Sequence, residues 1–96
     1  YGASKAGLNA MSQSLAKKLA PHSIYVGVVA PGFTETDMAT ATLTPSEKEK
    51  MLNETPFHRM AKPEEVAHAI LFLASKDAAY MSGSIIDVNG ASYLRS

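Results

Sequence analysis

Apolar residues at Leu8, Met11, Leu15 and Leu19 recur at spacings of three and four, which predicts one helix from Tyr1 to about Ala20. Ala3, Ala6, Gly7, Ala10 and Ala16 are small and let a neighbour approach closely. Lys17 and Lys18 suit the negative end of the helix dipole, and Pro21 stops the helix. Ile24-Tyr25-Val26-Gly27-Val28-Val29 is short, β-branched and almost continuously apolar, the pattern of a strand buried on both faces. Ala30-Pro31-Gly32 is expected to end it abruptly. From Pro31 to about Leu43 no period is visible, and the segment reads as a loop. Thr44-Pro45-Ser46-Glu47 has the N-cap, first-position proline and reciprocal acid of a capping box, so a second helix runs to about Asn53. Its residues are mostly charged, which predicts a loosely held surface helix.

Thr55-Pro56 breaks that helix, and Pro63-Glu64-Glu65 opens a third. Val66, Ala69, Ile70, Leu73 and Ala74 form its expected buried stripe, widened by Leu71 and Phe72. Ser75-Lys76-Asp77 ends it, and Tyr80-Met81-Ser82-Gly83 reads as a turn. A second strand, Ser84–Val88, closes at Asn89-Gly90. The order helix-strand-helix-helix-strand predicts an α/β layer around a parallel sheet. In such sheets ligands bind beyond the carboxyl ends of the strands, so the segment after Val29 is the place for a site.

Composition narrows the classes. The chain has 96 residues, enough for at most one small domain. Nine basic residues balance nine acidic ones, which leaves no field for nucleic acid or an anionic membrane. No apolar run approaches the roughly 18 residues of a membrane span. The absence of cysteine excludes disulfides and thiolate metal sites and fits a reducing compartment. No signal peptide is visible, and the missing initiator methionine suggests processing or truncation.

Candidate chemistry lies at two places. Tyr1 and Lys5, at i and i+4 of a helix, stack on one face with Cβ atoms about 5–6 Å apart. An ammonium beside a phenol favours phenolate and lowers its pKa, as an acid–base group at working pH requires. A surface pair is the plainer alternative. In the loop, Pro31 and Gly32 can turn the backbone past a flat ligand, and Thr34 and Thr36 offer hydroxyls that donate and accept. A solvated connector is the alternative there, although a loop of this length is more often functional. His22, His58 and His68 share no metal-ligand spacing, and nothing in the spacing of Glu35, Asp37 and Asp87 selects a pair.

Four motifs occur in order: Y-G-A-S-K-A-G-L, V-V-A-P-G-F-T-E-T-D-M, R-M-A-K-P-E-E-V-A and Y-M-S-G-S-I-I-D-V-N-G. Together they resemble the C-terminal portion of a short-chain dehydrogenase/reductase, near the 3-oxoacyl-[acyl-carrier-protein] reductases. The resemblance spans essentially the whole chain. It implies the C-terminal part of a Rossmann-type doubly wound parallel sheet, with residues 1–96 belonging to a single domain. It implies carbonyl reduction, or alcohol oxidation, by hydride transfer. Tyr1 then resembles the acid/base, and Lys5 the residue that lowers its pKa and bonds the nicotinamide ribose. Pro31 and Gly32 resemble the turn beside the nicotinamide, and Thr36 the threonine that binds its carboxamide. Thr34 stands where the family usually has an aliphatic residue whose backbone meets that carboxamide. Tyr1, Lys5, Pro31, Gly32, Thr34 and Thr36 are thus the expected cofactor contacts.

The resemblance further implies NADP(H) or NAD(H), with NADP(H) slightly favoured, and no metal. A small carbonyl or alcohol, or an acyl-carrier-bound substrate of fatty acid biosynthesis, is the expected substrate. It also implies a cytoplasmic homo-oligomer, dimer or tetramer, joined through the Pro63–Ala74 helix and the Ser84–Val88 strand. The family's Gly-rich pyrophosphate turn and the serine and asparagine that precede its tyrosine have no counterpart here. The expectation is half an active site, inactive by itself. A non-catalytic module that associates through its apolar helix and edge strand is the alternative.

Overall fold

A computed structural model describes residues 2–36 and 41–95. Helix α1 spans Gly2–Leu19 and passes into a 3-10 turn at Ala20–His22, where Pro21 lacks the N–H that would continue the α pattern. Strand β1 is Val28–Pro31, helix α2 Pro45–Glu54, helix α3 Pro63–Leu73, and strand β2 Ile85–Val88. A further 3-10 segment, Lys76–Met81, precedes β2, so the expected turn at Tyr80-Met81 is the end of a helical stretch. These elements follow the expected order, but Ala41 and Thr42 are also helical, inside the segment expected to be a loop.

β1 and β2 pair in parallel. Val28 N–H donates to the Ser84 carbonyl at 3.1 Å, and Gly32 N–H to the Val88 carbonyl at 3.0 Å. Residues 28, 30 and 32 therefore face β2, and the missing N–H of Pro31 falls on the opposite edge, where no ladder bond is lost. This displaces the first strand from its expected place. Val26 N–H bonds the Ser82 hydroxyl at 2.9 Å and the Val26 carbonyl accepts from Gly83 N–H at 2.7 Å, so a turn rather than a strand satisfies it. The strand also continues through Ala30 and Pro31 instead of ending there.

Two compact units divide the chain. One holds Tyr1–Val29 with Ala69–Ile86, the other Ala30–His68 with Asp87–Ser96. Each comprises about half of the chain, too little to bury much apolar surface. The hydrophobic residues buried among those described are Ala16, Met60 and Ala78. Two expectations fail for this reason. Neither strand is buried on both faces, since β2 is half-buried throughout and Pro31 is exposed. The α3 stripe is not buried either: Val66, Ala69 and Leu73 are half-buried, while Ile70, Leu71, Phe72 and Ala74 are exposed.

Helix α2 forms as the sequence predicts. The Thr44 hydroxyl accepts from Glu47 N–H at 3.2 Å, and the Glu47 carboxylate accepts from Thr44 N–H at 3.4 Å. Two otherwise orphaned donors are satisfied reciprocally. No described helix is long and apolar enough to cross a membrane.

Candidate functional site

The expected site residues fall in both units. Lys5 lies in the first turn of α1, on an exposed surface of the first unit. Tyr1, and with it the Tyr1–Lys5 pair, lies outside the described residues, as does Asp37. Pro31, Gly32, Thr34 and Thr36 belong to the second unit, which brings the first three together at the carboxyl end of β1.

Gly32 passes so close to the residue after β2 that a Cβ there would stand 2.7 Å from Asn89 Cβ and 3.1 Å from Asn89 Cα. Only glycine allows that approach. Two residues later the chain makes an isolated parallel bridge between Thr34 and Ala61. Ala61 N–H donates to the Phe33 carbonyl at 2.8 Å, and the Ala61 carbonyl accepts from Glu35 N–H at 2.8 Å. Alternation along an extended chain then turns the main-chain N–H and C=O of Thr34 away from Ala61. The Thr34 hydroxyl donates back to the Gly32 carbonyl at 3.1 Å and steadies the turn. Thr36 is exposed beyond it.

Phe33 lines a cavity of about 250 Å³ together with Phe57, Ala61, Val88, Asn89 and Gly90. That is below the roughly 300–1,000 Å³ of small-molecule pockets, so it is too small for a whole dinucleotide. The donor set fits one end of such a cofactor. Threonine hydroxyls and an outward main-chain edge suit a neutral carboxamide, which both donates and accepts. Nothing in residues 31–36 provides a Gly-rich turn at a helix N-terminus for a pyrophosphate.

Sequence reasoning did not pick out a further feature of this unit. Arg59 and Glu65 form a two-pronged ion pair, with Nη1 to Oε1 at 2.7 Å and Nη2 to Oε2 at 3.0 Å. Arg59 Nη1 also donates to the Met60 carbonyl at 3.1 Å, and Glu65 Oε1 accepts from Lys62 N–H at 2.8 Å. The Arg59 hydrogen bond, followed by the Lys62 N–H, lowers the Glu65 carboxyl from its usual range to about 2. A signal was present: Pro63 at the first position of α3 and Glu65 at the third make half a capping box, with the acid reaching back to the Lys62 N–H. The partner at Arg59, outside the helix, was not legible.

A profile of the family described as Enoyl-(Acyl carrier protein) reductase matches residues 1–91. The chain belongs to the short-chain dehydrogenase/reductase family. Its α/β pair is the C-terminal part of that family's Rossmann-type sheet. Among curated relatives, it is 48% identical over 93 residues to the 3-oxoacyl-[acyl-carrier-protein] reductase FabG of Aquifex aeolicus, covering 97% of this chain and 37% of that protein. With the Escherichia coli enzyme of the same name it shares 46% identity over 94 residues, 98% of this chain and 38% of the relative. The Thermotoga maritima enzyme is 48% identical over 90 residues, 94% of this chain and 36% of the relative. The chain thus spans little more than a third of the length of the curated relatives it matches.

Proposed function

We propose that this chain is part of a single-domain, nicotinamide-dependent oxidoreductase that reduces a carbonyl to an alcohol. Its substrate class would be 3-oxoacyl thioesters on acyl carrier protein, as in the names of its relatives. What carries the reading is the family match over residues 1–91, which takes in Tyr1, Lys5 and the stretch from Pro31 to Thr36. The geometry at Thr34 supports it, because an outward-facing main-chain edge at the end of a parallel strand suits the nicotinamide carboxamide.

When bound, the nicotinamide supplies the hydride. The chain's own part is the proton. The Tyr1 hydroxyl donates it to the carbonyl oxygen as that oxygen gains charge, and Lys5 stabilises the phenolate left behind. Pro31, Gly32, Thr34 and Thr36 hold the nicotinamide end of the cofactor, NADP(H) in preference to NAD(H). We further read the protein as a cytoplasmic homo-oligomer joined through residues 63–74 and 84–88, supported by the exposed Ile70, Leu71 and Phe72 on α3. Gel filtration of the full-length protein as a monomer would count against that.

The test is oxidation of NADPH and NADH by the full-length protein with a 3-oxoacyl thioester and a panel of small ketones. Turnover is expected, and Tyr1→Phe lowers kcat by roughly 10²–10⁴-fold. No oxidation of either dinucleotide with any substrate overturns the reading.

A further inference from the structure

The R-M-A-K-P-E-E-V-A motif has no role in the chemistry above, yet it contains a side-chain pair that also bonds the main chain at both ends. Arg59 and Glu65 do more than pair. One end of the pair bonds the Met60 carbonyl and the other bonds the Lys62 N–H. These two main-chain groups flank Ala61 on either side. Ala61 in turn spends its own N–H and C=O on Phe33 and Glu35, the neighbours of Thr34.

The segment is also anchored from below. Met60 and Thr55 are buried, and the Thr55 hydroxyl donates to the Leu52 carbonyl at 2.9 Å. Between them His58 holds a left-handed backbone, with φ 56°. A non-glycine residue in that conformation persists only where its surroundings fix it. Both partners of the ion pair remain accessible, Arg59 at 51% and Glu65 at 40%, so their attraction alone is weak. Their value lies in geometry. A guanidinium fork on a carboxylate fixes orientation in a way that a single contact does not.

We propose that the Arg59–Glu65 pair is a positioning clamp: it holds Ala61 in place, and Ala61 sets the outward main-chain edge of Thr34 that meets the nicotinamide. The clamp rests on the reading of residues 31–36 as the nicotinamide loop. Neither residue touches the reacting atoms.

The test uses the full-length protein and two probes. One is the intact dinucleotide, NADPH or NADH; the other is ADP-ribose or its 2′-phosphate, which lacks the nicotinamide. Glu65→Gln is expected to weaken the dinucleotide about fivefold, the ceiling for an accessible ion pair, and to change ADP-ribose binding by less than about twofold. Arg59→Lys keeps the charge but loses the fork, and it should weaken the dinucleotide as Glu65→Gln does. Equal weakening of both probes, or no change in either, overturns the clamp. An unaltered protein that binds no dinucleotide sinks the functional reading instead, and amide exchange then decides the clamp. Faster exchange at Ala61 and Glu35 in Glu65→Gln supports it, and unchanged exchange overturns it.

Discussion

Gly83 and Gly32 both sit beside a strand, one in each unit, and they are glycines for different reasons. Gly83 precedes β2 with φ at 92°, a conformation L side chains rarely adopt. Space is not its difficulty: an added Cβ would rest 3.6 Å from Ala16 Cβ, an ordinary contact. Gly32 follows β1 without a positive φ, and there an added Cβ would strike Asn89 at 2.7 Å. The first glycine serves the backbone's own conformation. The second serves the approach of one chain segment to another, where the candidate site begins.

Three measurements can break or sharpen this contrast. The largest effect is expected at Gly32. Gly32→Ala should destabilise the protein by about 1–3 kcal/mol in chemical denaturation, as overpacking does. Asn89→Gly, which removes the nearer of the two contacting atoms, should recover part of that loss in a double-mutant cycle. Gly83→Ala should cost about 1–2 kcal/mol, the penalty of a left-handed L residue. Here Ala16→Gly should recover nothing, because no collision is relieved. Recovery at Gly83, or none at Gly32, would erase the distinction between the two positions.

The smallest effect depends on pH and belongs to the second unit alone. Glu65 has a lowered folded-state pKa of about 2. Its stabilising contribution is therefore fully present above the ordinary carboxylate value and lost as pH falls from there towards 2. Denaturation midpoints of the unaltered protein and Glu65→Gln should differ at neutral pH and converge on acidification. A gap that stays constant down to pH 2 would mean that the carboxylate charge is not what Glu65 contributes.

What could be read from the sequence was what is decided within a few residues. Thr44 and Glu47 are three apart, their capping box needs nothing else, and α2 formed as expected. The Pro31-Gly32 turn after an apolar run likewise marked the loop that carries Thr34. The strand position could not be read so well, because Ile24–Val29 looks like a strand by composition. Its register is settled by Ser82, Gly83 and Ser84, far along the chain. Burial was misjudged for a related reason. Ile70 and Leu71 have the right spacing to be covered, and neither unit supplies what would cover them. The Arg59–Glu65 pair joins a residue outside a helix to one inside it, a relation that no periodicity encodes.

The ladder between β1 and β2 has a consequence for the order of events in folding. Val26 and Ser82, just ahead of it, are 56 residues apart. The capping box of α2 and the turn onto α3 close over a handful of residues, whereas the ladder must first close a long loop. Contacts between distant residues form slowly. On a growing chain, β1 emerges well before its partner has been made. The helices should therefore be in place before the parallel pairing forms, and an interrupted synthesis would leave β1 without β2.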